Sequence, residues 1–316
     1  MSEPQQVPER DRPVLAASGA VRVRVPAKIN VHLGVGPVRD DGYHELATVY
    51  QAISLYDELT VTRADDLRLR IAGEGAGQLP LDDDNLVVRA VRALARYVDR
   101  EPHVHIQLRK QIPVAGGLAG GSADAAAALV ACDALWGTGL TRDDLATLAA
   151  TLGSDVPFLV LGGTALGTGH GEVVSPVLAV GPWHWVVAIA DGGLSTPEVY
   201  AELDRLREAG RVPAAASDPG PVLAALRQHD PRVLAEALAN DLQPAAISLR
   251  PALRRTLRAG TEEGALAGIV SGSGPTCVFL AADAEHAKKI ATGLAGQGVA
   301  RAVRVVRGPV PGARIV

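Results

Sequence analysis

At 316 residues the chain is long enough for two domains with cores of their own, and its 47% hydrophobic content is that of a globular protein. A net charge of −4 argues against a nucleic-acid surface or an anionic-membrane binder. The two cysteines, Cys132 and Cys277, form no C-x-x-C pair, which speaks against a disulfide framework or zinc site and fits a cytoplasmic protein.

Residues 1–18 begin MSEPQQVPERDRP, polar and proline-rich, and read as a disordered tail rather than a signal or transit peptide. No stretch of about 18 apolar residues is present to span a membrane. From Val21 to Leu33 apolar and polar residues alternate without a break, the pattern of a half-buried strand with Pro26 at an edge or bulge. Lys28 and Asn30 share its polar face, which is either solvated or part of a site. Arg39–Leu46 reads as a turn through Asp41-Gly42, carrying Tyr43 and His44 either as cover for the sheet or as specificity residues. Further strands are expected at Val49–Ile53, Glu58–Thr62 and Leu67–Ile71. Asp84-Asn85 offers a cap for a helix over Leu86–Tyr97. His103 and His105 share a strand face but lack a third ligand, so they read as surface histidines.

A short strand, His105–Leu108, leads into Pro113-Val-Ala-Gly-Gly-Leu-Ala-Gly-Gly-Ser-Ala-Asp-Ala-Ala-Ala-Ala-Leu129. Glycines let a backbone come close to a ligand, and a helix capped at Ser122 would aim its free N–H groups back at the loop. That is a phosphate site, or else a tight turn with close helix packing. The loop is neither Walker A, because Ser122 stands where lysine should be, nor a dinucleotide fingerprint. A second helix is expected over Arg142–Leu152, with Thr141 and Asp144 as capping box and Gly153 as its stop. Asp155, before Pro157, is either a cap or turn former or a general base on a constrained loop. A glycine-rich hairpin over Gly162–Gly171 follows, with a domain boundary near Ser175.

The second half reads as an α+β unit. Strands are expected at Trp185–Ala190, Ala267–Ser271, Thr276–Ala281 and Ala302–Val306. Helices are expected at Thr196–Leu206, Val222–Leu226, Arg232–Leu238, Pro251–Ala259 and Ala284–Leu294. Residues 211–221 look like a mobile connection. Ser271-Gly-Ser-Gly-Pro-Thr276 is a second glycine-rich loop, a simple turn or a further set of N–H donors.

Four separated segments stand in the order seen in the GHMP kinases: Pro26-Ala-Lys-Ile-Asn30, the glycine loop with its helix, Gly153-Ser-Asp-Val-Pro157 and Ser271-Gly-Ser-Gly274. The chain resembles that superfamily from about Val21 to Leu280. Asp41-Gly-Tyr-His-Glu-Leu46, Asp84-Asn-Leu-Val-Val-Arg89 and Thr196-Pro-Glu-Val-Tyr200 resemble one branch of it. That branch phosphorylates a cytidine-diphosphate-linked branched polyol to its 2-phosphate in the non-mevalonate isoprenoid route.

The resemblance implies a two-domain α+β GHMP-kinase-like fold with the active site in the cleft between domains. With the tail over 1–18 and the boundary near Ser175, this gives an ATP-binding domain over 19–175 and a C-terminal domain over 176–316. The resemblance also implies ATP with Mg²⁺, whose protein ligands stay unassigned. By position, Lys28 and Asp155 match the catalytic pair. Asn85 and Lys110 match the adenine side, and Pro113, Val114, Ala115, Gly116, Gly117, Leu118, Ala119, Gly120, Gly121, Ser122 and Ala123 the phosphate loop. Asn30, Tyr43, His44, Thr196, Tyr200 and Gly272 match substrate-facing positions. Ala115 and Ala119 depart from the glycines of many relatives, and Tyr200 from the phenylalanine of some. A GHMP kinase for mevalonate, homoserine or a sugar, and a silent metabolite sensor, are the rival readings. Tyr43-His44 argues against the first, and the presence of both Lys28 and Asp155 against the second.

Overall fold

The computed structural model describes residues 19–40 and 42–316. The tail expected over 1–18 and Asp41 of the first turn lie outside the described residues. The chain starts with β1 (Val21–Val38), β2 (His44–Arg63), β3 (Arg68–Gly73), α1 (Leu86–Tyr97) and β4 (Val104–Lys110). Next come α2 (Gly120–Trp136), α3 (Arg142–Ala150), α4 (Val156–Leu161), β5 (Thr164–Thr168) and β6 (Val173–Pro176). The second half runs β7 (Trp183–Ile189), α5 (Thr196–Glu208), α6 (Gly220–Ala225), α7 (Pro231–Ala237), β8 (Ala239–Asn240) and α8 (Gln243–Leu249). It ends with α9 (Ala252–Glu262), β9 (Ala267–Val270), β10 (Cys277–Ala281), α10 (Ala284–Gly296), β11 (Ala302–Gly308) and β12 (Arg314–Ile315).

The period-two pattern that starts at Val21 makes one long strand, and β2 joins two expected strands into one. The two pair antiparallel from Val21↔Val61 to Val38↔His44. The first register shift falls at Pro26/Ala27, where proline has no N–H for the ladder. The larger sheet runs β12-β1-β2-β4-β3, with β5 beside β2, β6 beside β5 and β8 beside β1. The smaller runs β11-β7-β10-β9, with every pairing antiparallel.

The boundary expected near Ser175 lies in β6, yet the second half returns two strands, β8 and β12, to the larger sheet. After β11 the chain crosses back over the first half. Val310 N donates to the Ala52 carbonyl and Ala313 N to that of Leu159, while Arg142 Nη1 donates to the carbonyls of Val160 and Ala313. Against the larger sheet lies α2, whose alanines 125–128 are completely buried. Small side chains let the helix sit close to the strands, and that places its N-terminus beside β1. Among the described residues no helix is long and apolar enough to cross a membrane.

The polar face of β1 is solvated only at its start, where Arg22 is exposed and Arg24 half-buried. Lys28, Asn30 and His32 are buried at 5%, 2% and 1% exposure, because the second glycine loop packs on Lys28 and Asn30 and Ser217 on His32. Two short helices, α4 and α8, arise where apolar, proline-bearing segments read as loop or gave no period; Pro at the first turn suits a helix start.

Candidate active site

The phosphate-loop candidate is bracketed by a buried ion cluster. At the end of β4, Lys110 Nζ lies 2.6 Å from Asp57 Oδ2 on β2 and 2.5 Å from Asp124 Oδ2 on α2. Asp57 Oδ1 also accepts from the N–H groups of Gln111 and Ile112, at 2.5 and 2.8 Å. The ammonium therefore holds the two ends of the loop, Gln111 and the first turn of α2, against one strand. Burial pushes the Asp124 carboxyl well above the ordinary range, with Lys110 pulling the other way. The Lys110 ammonium is buried between the two carboxylates.

The loop itself turns twice through the left-handed region at non-glycine residues, Ala115 at φ +52 and Ala119 at φ +56. Gly117, at φ +75, also lies in that region. Ala119, not Ser122, is the N-cap of α2; its left-handed turn starts the helix at Gly120 and leaves Ser122 inside the first turn. No side chain caps this end, so the first-turn N–H groups of Gly120, Gly121 and Ser122 face the loop unclaimed by a cap. Pro113 and Leu118 are buried, Val114 and Ala115 are exposed, and Ala123 N closes the first helical bond to the Ala119 carbonyl at 2.9 Å. Asn85, expected near adenine, caps α1: its Oδ1 accepts from Val87 N at 2.9 Å and its Nδ2 donates to the Pro80 carbonyl at 2.7 Å.

The second glycine loop packs on the first. Ser271 Oγ donates to the Gly117 carbonyl at 3.1 Å, and a Cβ on Gly117 would collide with the Ser271 carbonyl. Gly272 is tight as well: its Cβ would stand 3.2 Å from Asn30 Oδ1 and 3.7 Å from Lys28 Nζ and the Gly117 carbonyl. Both loops thus meet at the middle of β1, where Lys28 N donates to the Leu118 carbonyl at 3.2 Å.

Here Lys28 Nζ donates to Asn30 Oδ1 at 2.7 Å and stands 3.5 Å from Asp155 Oδ2. Asn30 is fixed in turn, its Nδ2 donating to Thr48 Oγ1 at 2.7 Å and that hydroxyl to the His32 carbonyl at 2.9 Å. Asp155 is the N-cap residue of α4, but its carboxylate makes no capping bond and is about a quarter exposed. Lys28 is thus the ion-pair partner of a carboxylate that the helix cap does not use.

On the far side, His44 opens β2, donates from Nε2 to Asp204 Oδ1 at 2.9 Å, and its ring centroid lies 5.0 Å from that of Tyr200 on α5. Tyr43, 63% exposed, stacks on His170 with centroids 4.8 Å apart. Thr196, the first residue of α5, shares a 2.9 Å hydrogen bond with Ser273 of the second glycine loop. Burial and the Asp155 charge push the Tyr200 phenol above its usual range, so it remains a neutral aromatic.

The structure therefore gathers Lys28, Asn30, Asp155, Gly272 and the first glycine loop at one point. Tyr43, His44, Thr196 and Tyr200 form the adjoining wall, while Asn85 and Lys110 keep structural partners. Sequence reasoning missed Asp57, Asp124, Thr48, Tyr50, His170 and Ser273. Only Thr48 and Tyr50 carried a usable signal, as the polar-tipped residues of β2 that share a face across from Asn30.

The family model for the GHMP kinases N terminal domain matches residues 85–163, and that for the GHMP kinases C terminal matches 222–300. A 4-diphosphocytidyl-2-C-methyl-D-erythritol kinase from Salinispora tropica is 69% identical over 309 residues, covering 98% of both chains. The enzyme of that name from Mycobacterium tuberculosis is 59% identical over 299 residues, 95% of this chain and 94% of that one. Among solved structures, a 4-(cytidine 5'-diphospho)-2C-methyl-D-erythritol kinase superposes with TM-score 0.75 at 33% identity, over 90% of this chain and 98% of the other. A homoserine kinase from Cytophaga hutchinsonii superposes at 0.73 with 20% identity, over 95% of this chain and 98% of the other, a likeness of fold alone.

Proposed function

The chain belongs to the GHMP kinases, and from that premise we propose how its residues carry out the ATP-dependent phosphorylation of the 2-hydroxyl of 4-diphosphocytidyl-2-C-methyl-D-erythritol, a step of non-mevalonate isoprenoid synthesis. The observation that carries the reading is the 3.5 Å Lys28–Asp155 pair, set between the uncapped end of α2 and the aromatic wall. Asp155 accepts the proton of the 2-hydroxyl as its oxygen forms a bond to the γ-phosphorus. The bond from that phosphorus to the β,γ-bridging oxygen breaks, and ADP leaves. Lys28, held by Asn30, keeps the carboxylate oriented and offsets the charge spread over the transferring group.

Residues 116–123 hold the ATP phosphates through backbone N–H groups, and Gly117, where a Cβ cannot fit, is where this loop packs on the second glycine loop. Among the described residues no group of three His, Cys, Asp or Glu forms a metal cage. The residues therefore fit a Mg²⁺ carried in on the nucleotide, where it would neutralise phosphate charge, rather than one held by the protein alone. Tyr43 and Tyr200 offer ring faces to the cytosine and His44 hydrogen bonds to its edge. The remote nucleotide lowers the entropic cost of aligning the polyol with Asp155. Cys132 and Cys277 are buried and unpaired, in keeping with a cytoplasmic reaction.

The test is ADP release by the wild-type protein and Asp155→Asn with a panel of acceptors. Asp155→Asn is expected to lower kcat by ~10²–10⁴ with ATP binding nearly unchanged. The cytidylated polyol is expected to outrun mevalonate, homoserine, galactose and free methylerythritol phosphate. Near-normal turnover by folded Asp155→Asn refutes the base assignment, and a preference for mevalonate or homoserine refutes the acceptor.

A further inference from the structure

The wall that faces the cytosine draws on α5 at Thr196 and Tyr200, and a third residue of that helix, Asp204, stands on the same side. The three follow one another at i, i+4 and i+8, so each lies about one turn beyond the last. Val199, Leu203 and Leu206 form the adjoining buried stripe that seats the helix. Polar contacts seat it further. Arg207 Nη1 donates to the Gly36 carbonyl at 3.2 Å and Nη2 to that of Val35 at 2.5 Å, both at the end of β1. Ser248 Oγ of α8 donates to Glu202 Oε1 at 2.5 Å. Asp204 therefore projects from a helix whose position is fixed on both sides.

Its carboxylate accepts from His44 Nε2 at 2.9 Å. A carboxylate without a proton can only accept, so Nε2 is the ring nitrogen that carries the N–H in this contact. That bond settles two features a histidine otherwise leaves open: which nitrogen presents a proton here, and which way the ring is turned about its Cβ–Cγ bond. The His44 side chain is only 8% exposed, so without Asp204 its Nε2–H would lose a partner that little water is at hand to replace. The ring so held is the one whose centroid lies 5.0 Å from that of Tyr200, and Nδ1 is the ring nitrogen left for a ligand.

We infer that Asp204 is a positioning residue for recognition of the base: it holds His44 in one rotamer, so that the His44–Tyr200 side of the site is formed before the cytidylated polyol arrives. The inference rests on His44 and Tyr200 being contacts of that base. A wall formed in advance lowers the ordering cost of binding. The bond involves neither Lys28, Asp155 nor the glycine loops, so its loss falls on binding of the polyol rather than on phosphoryl transfer or ATP.

The Asp204 side chain is 35% exposed, so its truncation opens no sealed cavity. Asp204→Ala is expected to raise KM for the cytidylated polyol about tenfold, the scale of one hydrogen bond to a charged group, with kcat and KM for ATP within about twofold. Asp204→Asn keeps an accepting oxygen in the same place and should hold that KM within about threefold of wild type. In a His44→Ala background Asp204→Ala should cause no further loss, as for two residues acting through one contact. A wild-type KM in folded Asp204→Ala, with His44→Ala impaired, overturns this inference alone. A full, additive loss in the His44→Ala background does the same, as does an Asp204→Asn protein no better than Asp204→Ala. If His44→Ala itself binds the cytidylated polyol as the wild type does, the assignment of the base site falls and the role of Asp204 falls with it.

Discussion

Gly117→Ala adds one methyl group at the contact between the two glycine loops. The residue sits at φ +75, a conformation that costs an L-residue roughly 1–2 kcal/mol. That cost alone is tolerable here, since Ala115 and Ala119 already adopt φ +52 and +56 in the same loop. What sets Gly117 apart is the collision: its Cβ would overlap the Ser271 carbonyl and stand 3.1 Å from that of Gly274. Both neighbours are backbone, so one loop must retreat by about 1 Å to reach ordinary contact. The displaced groups include the N–H donors that hold the phosphates. A hydrogen bond misplaced by that distance loses most of its strength, so ATP affinity should fall about tenfold, equivalent to ~1.4 kcal/mol. Calorimetric titration with ATP measures this, and circular dichroism checks that the variant is folded. Ala119→Gly, which relieves strain without adding atoms, should bind ATP as the wild type does. Unchanged affinity in Gly117→Ala would show that the phosphates do not depend on this loop contact.

Two further outcomes concern buried charge and acid stability. Lys110→Ala leaves the Asp57 and Asp124 carboxylates facing each other in the interior and should destabilise the fold by ~3–5 kcal/mol in denaturant titrations. Asp124, already pushed up by burial, loses the one group opposing that shift, so the deficit should grow as pH rises; a deficit independent of pH would contradict the clustered-charge account. Glu202 on α5 is depressed to about 2, chiefly by hydrogen bonds from Arg205 and then Ser248. A depressed carboxyl stabilises above its unfolded value of 4.5 and loses that contribution as pH falls toward 2, so wild-type and Glu202→Gln melting temperatures should converge over that interval.

Local signals were the legible ones. Asn85 as the cap of a helix over Leu86–Tyr97, and the Thr141–Asp144 capping box, depend on residues a few positions apart, and both stand as read. The Pro26 bulge and the meeting of Lys28 with Asp155 were legible for different reasons, the first from proline chemistry and the second from the family pattern. Ser122 was misread as a cap because alanine is not expected in the left-handed turn that Ala119 makes. Asp57, Lys110 and Asp124 are spread over 67 positions in sequence terms and meet only through β2, β4 and α2, so no spacing could announce them. The burial of Lys28, Asn30 and His32 was hidden for a related reason: alternation reports that a strand has two faces, not what the rest of the chain lays across the second.

The return of the final residues to β1 has a consequence for handling the protein. Val23 and Arg24 pair with Ile315 and Arg314, and Val316 N donates to the Arg22 carbonyl. Those last residues occupy what would otherwise be a bare edge strand beginning Val-Arg-Val-Arg-Val, a ready template for intermolecular pairing. Trimming the C-terminus would uncover that template. Anything fused after Val316 would start from a partner strand held by only a few hydrogen bonds.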